Sequence, residues 1–303
     1  MTAPVIAVVG PTAAGKSDLA VEIARRVRGD VVNADSMQLY RGMDIGTAKL
    51  STAERRGVTH HLLDVLDVTE PATVAEFQRW ARAEVDACRS RGRPPVLVGG
   101  SALYIRAVLD RFEFPGTDPG VREQLEAELA EVGPEALHSR LARTDPEAAA
   151  RILPSNGRRV VRALEVVTLT GRPFTAYLPE HSYAYDAVHQ VGVDVPRPAL
   201  DQRIALRVEQ MWSAGLVEEV RRLAAAGLHG GRTASRALGY AQVLRYLDGE
   251  ISEDAAREST IRATRRFARR QDAWFRKDPR ISWVGYDDPE RVDHALRVCA
   301  ERA

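Results

Sequence analysis

The residue types with the clearest chemistry form one glycine-bounded loop: Gly10, Pro11, Thr12, Ala13, Ala14, Gly15, Lys16 and Ser17. The pattern G-x-x-x-x-G-K-S is typical of a loop whose backbone N–H groups surround a phosphate. Lys16 supplies a positive charge for the terminal phosphate, and the Ser17 hydroxyl is a candidate Mg²⁺ ligand. The loop is therefore predicted to bind a phosphoanhydride together with Mg²⁺.

The segments on either side of this loop predict the structure that positions it. An apolar run at residues 4–9 predicts a strand, and an amphipathic segment through Val27 predicts a helix. The loop N–H groups then lie at the positive end of the helix, where anions bind. This context argues against the alternative, an accidental match to the pattern.

Two other predicted strands end in residues that could reach the same ligand. Asp35 follows the apolar run of residues 30–34, and ligands in parallel α/β sheets lie beyond the carboxyl ends of strands. The alternative for Asp35 is that it caps a following helix. The predicted strand at residues 94–100 is followed by Ser101. A hydrolytic P-loop ATPase would usually have an aspartate near the end of this strand. Its absence argues against a hydrolytic motor.

The order of predicted elements indicates an α/β fold, with a P-loop NTPase-like parallel sheet core flanked by helices. Residues 114–196 are predicted to be an inserted, mainly helical domain, and residues 1–113 and 197–303 to form the core. Within the insert, residues 188–195 resemble a strand that returns to the core sheet.

Composition limits the class of protein. The 303 residues are 45% hydrophobic and 28% charged, and no apolar run approaches the roughly 20 residues of a membrane span. We therefore expect a cytoplasmic protein without a membrane partner. Cys88 and Cys299 match no metal-ligand spacing, so reduced structural thiols are expected. The adjacent histidines His60 and His61 are likewise expected to pack locally.

The net charge of +1 conceals an uneven distribution. Residues 118–147 carry a net charge of −5, residues 151–172 of +4, and residues 257–280 of +6. Clustered arginine is typical of a nucleic-acid partner, although a solvated helix face fits equally well. Because only three of the 43 basic residues are lysine, Lys49 is a further, weak site candidate beside Lys16.

Several motifs together resemble the bacterial tRNA dimethylallyltransferase family, in order and over nearly the whole chain. They lie at residues 10–17, 35–36, 38–49, 60–64, 162–166 and 271–275. The resemblance implies transfer of a dimethylallyl group from dimethylallyl diphosphate to N6 of an adenosine next to the anticodon, with release of diphosphate. The implied partners are the tRNA anticodon stem-loop and dimethylallyl diphosphate, with Mg²⁺ as cofactor. No obligatory protein partner is evident, and we expect a monomer.

The resemblance also implies roles for individual residues. Asp35 would be the general base, Ser101 would orient the adenine, and Arg203 would join Lys16 in stabilising the leaving diphosphate. The tRNA contacts implied are Asp35, Ser36, Met37, Gln38, Ser101, Arg122, Arg158, Arg159, Val160, Val161, Arg162, Arg236, Gly239 and Tyr240.

The chain departs from the family pattern at three positions. Ala14 replaces a usual serine, Ser101 a usual threonine, and Ala241 a residue that is often basic. Three other functions remain open from the sequence: a kinase for a small molecule or nucleotide, a prenyltransferase acting on free adenine nucleotides, and a non-catalytic RNA-binding module.

Overall fold

The computed structural model describes residues 2–174 and 181–301. In chain order the strands and helices are β1 (Val5–Val9), α1 (Lys16–Val27), β2 (Asp30–Asn33), β3 (His60–His61), α2 (Val74–Ser90), β4 (Pro95–Gly99), α3 (Ala102–Leu109), α4 (Pro119–Thr144), α5 (Pro146–Arg151), α6 (Gly157–Thr170), β5 (Val188–Asp194), α7 (Arg197–Ser213), α8 (Leu216–Ala225), α9 (Tyr240–Leu247), α10 (Glu253–Phe275), β6 (Ile281–Gly285) and α11 (Arg291–Glu301). Among the described residues, no helix is both long and apolar enough to span a membrane.

The chain divides into two compact units. The α/β unit consists of Met1–Leu109 and Tyr183–Ala303, and the helical unit is Asp110–Ser182. The insert predicted from sequence, residues 114–196, begins four residues after the start of the helical unit, Asp110–Ser182, and ends fourteen residues after its end. The physical reason is that β5 pairs with β1, so this strand belongs to the sheet of the α/β unit.

The strands form one parallel sheet in the order β3-β2-β4-β1-β5-β6. β1 is central, because Val8 lies opposite Val98 of β4 on one side and Val191 of β5 on the other. Parallel pairing brings the carboxyl ends of all these strands to the same edge of the sheet. The predicted α/β class and the P-loop NTPase-like arrangement are confirmed.

Two hydrophobic clusters cover the two faces of the sheet. Val5, Ala7 and Val9 of β1 belong to one cluster, and Ile6 and Val8 belong to the other. This alternation follows from the two-residue period of a strand, and burial on both faces explains why β1 is a continuous apolar run. The buried strand fixes the loop that follows it.

The helical unit packs α4, α5 and α6 around its own core. The backbone of α4 departs from helical geometry at Gly133, directly before Pro134. Leu137 and Leu141 from α4 pack with Leu164 from α6 in this core. The predicted mainly helical character of the insert is confirmed.

A buried carboxylate connects α6 to the chain before α4. Glu165 is 0% exposed and forms salt bridges with Arg122 and Arg162, while Thr117 donates a hydrogen bond to Oε1. Burial alone would raise the pKa of this carboxyl, but hydrogen bonds from the two arginines and Thr117 outweigh it and lower the pKa to about 2. Glu165 is therefore ionised and structural.

We predict that Glu165 makes the helical unit sensitive to acid. Its folded pKa of about 2 lies below the ordinary value of 4.5, so its stabilisation is complete above pH 4.5 and is lost as pH falls towards 2. The pKa difference corresponds to on the order of 3 kcal/mol of unfolding free energy. Urea unfolding between pH 6 and 3, followed by circular dichroism, should show Glu165→Gln losing less stability with acid than the parent.

The matched control is Glu131→Gln, which changes an exposed carboxylate of α4 in the same unit. Its pH dependence should match that of the parent. Parallel curves for Glu165→Gln and the parent would contradict the assignment.

Candidate functional site

The predicted phosphate-binding loop connects β1 to α1 at the carboxyl edge of the sheet. Gly15 immediately precedes α1 and has φ +93° and ψ 23°, a left-handed conformation that favours glycine. Nζ of Lys16 donates a 2.7 Å hydrogen bond to the carbonyl oxygen of Pro11, which brings the ammonium group across the loop. Of the eight residues identified from sequence, Gly10 to Gly15 form the loop, and Lys16 and Ser17 are the first two residues of α1.

A cleft of about 470 Å³ opens beside this loop within the α/β unit. The structure brings together several predicted site residues from distant parts of the chain along its wall: Thr12, Lys16, Ser17, Asp35, Ser36, Met37, Gln38, Ser101 and Arg236. Its volume suits a small organic ligand.

Asp35 is fixed by its own backbone and by Asn33. The amide of Asp35 donates to Oδ1 of Asn33 at 2.9 Å, and Nδ2 of Asn33 donates to the Asp35 carbonyl at 3.0 Å. Oδ1 of Asp35 accepts a 2.9 Å bond from the amide of Met37, within a turn rather than at a helix start. The helix-cap alternative is therefore wrong. The carboxylate remains available at the cleft wall.

Three cations surround the loop and are held by backbone carbonyls. Besides the Lys16 contact, Nε of Arg203 donates to the carbonyl of Ala13 at 2.7 Å. Arg207, one turn along α7, lines the cleft.

Desolvation and the charge of Arg207 lower the pKa of Lys16 to about 8, although Asp35 acts to raise it. Lys16 thus stays mainly protonated at neutral pH.

Arg207 lines the cleft, although the sequence analysis named only Arg203, one turn earlier on α7, as a candidate. Desolvation lowers its pKa, while Asp35 raises it and Arg203 lowers it further. The spacing of Arg203 and Arg207 was the available signal, since residues four apart share a helix face.

The predicted element at residues 236–240 divides into exposed and buried parts. Arg236 is exposed and lines the cleft. Tyr240 is 0% exposed, and its hydroxyl donates a 2.6 Å bond to Oε1 of Glu219. Glu219 also accepts the N–H groups of three consecutive residues from Asp44 to Gly46. Tyr240 therefore supports the cleft wall that it also lines, and its contact with tRNA stays a prediction. Gly239 is buried before α9.

The predicted RNA contacts of the helical unit also separate by burial. Val160 and Val161 lie in the core because the apolar face of α6 points inward, so their side chains cannot contact RNA. Arg122 and Arg162 neutralise Glu165, as described above. Burial argues against the two valine contacts, whereas contacts of Arg122 and Arg162 with tRNA stay predictions, because their side chains are 37% and 26% exposed. Arg158 and Arg159, which are exposed on the same helix, remain candidates.

The basic stretch at residues 257–280 is partly neutralised by carboxylates. Its arginines in salt bridges are Arg257, Arg262, Arg265, Arg276 and Arg280. Arg266, Arg269 and Arg270 are exposed on α10 and form no salt bridge with any described residue. Arg270 also lines the cleft. These three are the candidates for contacting phosphates.

Lys49 is structural. Its side chain is 3% exposed, and Nζ forms salt bridges of 2.7 Å with Asp44 and 2.6 Å with Asp64. It ties the loop after Tyr40 to the segment after β3, which corrects its status as a site candidate.

His61 has neighbours that spacing in sequence did not reveal. His61, Asp30 and Cys88 offer ligand atoms within 4.8 Å of one another. Asp30, however, forms a 2.6 Å salt bridge with Arg93, and burial raises the pKa of the Cys88 thiol to about 11. Because an arginine already neutralises the carboxylate and the thiol is protonated, the group packs as an ion-pair cluster. Cys88 and Cys299 are both free thiols.

Gln271 is a site residue that sequence reasoning named only as part of a motif. Its Oε1 accepts a 2.9 Å bond from the amide of Thr12, and its Nε2 donates a 2.8 Å bond to the carbonyl of Gly100. One side chain from α10 thus links the phosphate-binding loop to the turn before Ser101. A β-carbon on Gly100 would lie 2.3 Å from Nε2 of Gln271, so only glycine permits this contact.

We predict that substitutions at Gly100 and Gln271 are coupled. Gly100→Ala should displace Gln271 and destabilise the parent, because both hydrogen bonds depend on close approach. In a Gln271→Ala background the clash is absent, and the destabilisation by the same change should be smaller by roughly 1 kcal/mol or more. Urea unfolding of the four proteins measures the coupling.

Gly92→Ala is the control, because a β-carbon there meets nothing within 4 Å. Its own cost, from a backbone φ of +70°, should be the same with either residue at position 271. Additive costs for Gly100 and Gln271 would contradict the proposed link.

Comparison with known proteins agrees with this geometry. The model of the IPP transferase family matches residues 38–278. A protein from Nocardioides sp. named tRNA dimethylallyltransferase is 65% identical over 297 residues, covering 98% of this chain and 96% of that protein. One of the same name from Thermobifida fusca is 64% identical over 304 residues, covering 99% and 95%.

Solved structures show the same fold. The tRNA isopentenylpyrophosphate transferase from Bacillus halodurans is 38% identical with a TM-score of 0.72, covering 99% of this chain and 97% of that one. A eukaryotic dimethylallyltransferase acting on tRNA, 24% identical, has a TM-score of 0.84 and covers 99% and 78%. The sequence matches extend over nearly the full length, so the chain belongs to the IPP transferase family.

Proposed function

We propose that this chain transfers a dimethylallyl group from dimethylallyl diphosphate to N6 of the adenosine adjacent to the anticodon of tRNA, with Asp35 as general base. Family membership gives the class of reaction, tRNA dimethylallyl transfer. The observation that supports the residue roles is that Asp35 and the phosphate-binding loop line one cleft.

Asp35 supplies the base that the acceptor requires. The N6 lone pair of adenine is delocalised into the ring, so attack on carbon is assisted when a carboxylate takes the N6 proton. Asn33 and the turn after Asp35 hold the carboxylate at the cleft wall. Ser101, on the same wall, offers a hydroxyl that can orient the base.

The loop stabilises the leaving group. As the bond to the allylic carbon breaks, negative charge develops on the diphosphate. Lys16 and Arg207 line the cleft, and Arg203 is bound to the loop carbonyl of Ala13, so these three cations would stabilise that charge. The N–H groups at the start of α1 add the positive end of a helix dipole. These donors are in place before the reaction, so the transition state is stabilised without rearrangement.

The donor set at the loop fits Mg²⁺. The Ser17 hydroxyl lines the cleft, and Mg²⁺ in proteins is usually held by few side chains together with substrate phosphate oxygens and water. Ser17 would hold the ion, which when bound would neutralise charge on the diphosphate. The remaining stabilisation comes from the cations of the chain itself.

The acceptor adenosine must leave its stack to enter the cleft, as bases do when enzymes modify them. We assign contacts to the tRNA backbone to Arg158 and Arg159 of the helical unit and to Arg266, Arg269 and Arg270 of α10. These arginines are exposed and form no salt bridge with any described residue. We expect the protein to act as a monomer.

Labelled dimethylallyl diphosphate with either bulk tRNA or adenosine monophosphate tests this function. Label in tRNA alone is expected, and label in the free nucleotide would indicate the alternative prenyltransferase.

In the same assay, at saturating tRNA and in a single turnover, Asp35→Asn should lower the transfer rate by roughly 10²–10⁴ because the base is removed. The melting temperature should barely change, since asparagine can still accept the Met37 bond.

Asp67→Asn, an exposed carboxylate paired with Arg41, is the matched control and should keep the parent rate. A parent-like rate for Asp35→Asn would remove the general-base assignment. If the affinity for tRNA falls while turnover at saturating tRNA is kept, Asp35 instead binds the acceptor adenine.

We also predict that tRNA binding weakens steeply with salt, because each arginine–phosphate contact releases counterions. The double variant Arg158→Gln with Arg159→Gln should lower the slope of log affinity against log salt by roughly 0.7–0.9 for each arginine–phosphate pair that it removes. Filter binding between low and moderate salt measures this slope.

Arg151→Gln is the control, because Glu147 already neutralises this exposed arginine. It should leave the slope unchanged. An unaltered slope in the double variant would exclude both arginines as phosphate contacts.

A further inference from the structure

Two arginines from different helices converge on the last glycine of the phosphate-binding loop. A β-carbon placed on Gly15 would lie 3.6 Å from Nη2 of Arg203 and 3.8 Å from Nη1 of Arg291. Both guanidinium groups therefore lie beside this glycine, at the start of α1, where the helix dipole favours an anion. Arg291 is the first residue of α11 and lies beyond the region matched by the family model.

The position of Arg291 is fixed by neutral groups. Its Nη1 donates a 2.7 Å hydrogen bond to the carbonyl of Tyr286, whose amide donates at 2.9 Å to the carbonyl of Asp194 at the end of β5. The ring of Tyr286 also lies 5.5 Å from the Arg203 guanidinium carbon, in cation–π range. One tyrosine thus orients both arginines towards the loop.

The charge of Arg291 is not compensated by the protein. Among the described residues it forms no salt bridge, although acidic residues precede it in sequence. Three acidic residues close to it in sequence have other partners: Asp288 is bound to His294 and to the amide of Glu290, Glu290 pairs with His294, and Asp293 pairs with Arg26. A cation at the first position of a helix is also disfavoured by the helix dipole. A bound anion would offset both costs.

We propose that Arg291 is a further diphosphate-binding residue, which contacts the diphosphate of the prenyl donor from the side of Gly15 together with Arg203. This inference rests on the proposed function. The diphosphate would lie between the arginine pair on one side and Lys16 and Ser17 on the other. Arg291 binds the group that departs and has no part in proton transfer.

The direct test is calorimetric titration of inorganic diphosphate, with Mg²⁺ present, into the full chain. Arg291→Gln should weaken binding roughly ten- to a hundredfold, the range for a charge-assisted hydrogen bond. Arg291→Lys keeps the charge but loses the planar guanidinium group, so its affinity for diphosphate should lie between those of the parent and Arg291→Gln. Arg297→Gln, an exposed arginine of the same helix, is the control and should bind like the parent.

Steady-state transfer to tRNA gives an independent readout. If Arg291 binds ground state and transition state alike, the KM for dimethylallyl diphosphate should rise in Arg291→Gln by the factor seen in titration, with kcat kept. Thermal melting confirms that each variant is folded. A merely structural role would alter melting without this selective change in donor KM.

Outcomes for the two proposals are distinguishable. Diphosphate affinity of folded Arg291→Gln within twofold of the parent, or a parent that does not bind diphosphate, overturns the role of Arg291. Binding that depends on Arg291 in a parent that prenylates no tRNA supports the diphosphate site and overturns the proposed function. If the parent transfers the group to tRNA and Arg291→Gln binds diphosphate like the parent, the proposed function stands and the role of Arg291 is overturned.

Discussion

Uncompensated positive charge at the carboxyl end of β1 is the constraint on which the site depends. Lys16, Arg203, Arg207 and Arg291 are each hydrogen-bonded to a backbone carbonyl, and none forms a salt bridge with a described residue. Like charges near the amino end of a helix repel one another, and desolvation strengthens the repulsion. Carbonyl oxygens fix the geometry while leaving the charge for a ligand. The sheet, α7 and α11 are needed to hold these groups together.

Other basic residues of the chain pair with carboxylates and not with backbone carbonyls alone. Lys49, whose side chain is buried, pairs with the exposed carboxylates Asp44 and Asp64, and Arg122 and Arg162 pair with the buried Glu165. These ion pairs hold neighbouring segments of the chain together. Removing one partner of such a pair leaves a charge unsatisfied, so these residues stabilise the fold. The type of partner, carbonyl or carboxylate, therefore separates cations that serve a ligand from cations that serve the structure.

This difference explains what the sequence could predict. The strand, loop and helix around Gly10 to Ser17 follow from periodicity and short-range chemistry. Charge counts could not separate Arg158 from Arg162, because the partner of Arg162 is set by how α6 packs. Gln271 and Arg291 reach the loop across more than 250 residues of sequence, and no local pattern encodes such a contact. The insert boundary failed for a related reason, since only pairing with β1 assigns β5 to the sheet.

The strand that carries the carboxylate also distinguishes transfer from hydrolysis. A hydrolytic P-loop ATPase would hold Mg²⁺ and water with an aspartate on the strand next to β1, but β4 ends here in glycines that Gln271 approaches closely. Asp35 instead follows β2, two strands from β1, and neighbouring strands lie about 4.8 Å apart. One strand, β4, thus lies between β1 and the strand that precedes Asp35, although Asp35 and Lys16 line the same cleft. An aspartate after β2 and none at the end of β4 are what the proposed transfer to a base requires, and they differ from what hydrolysis requires.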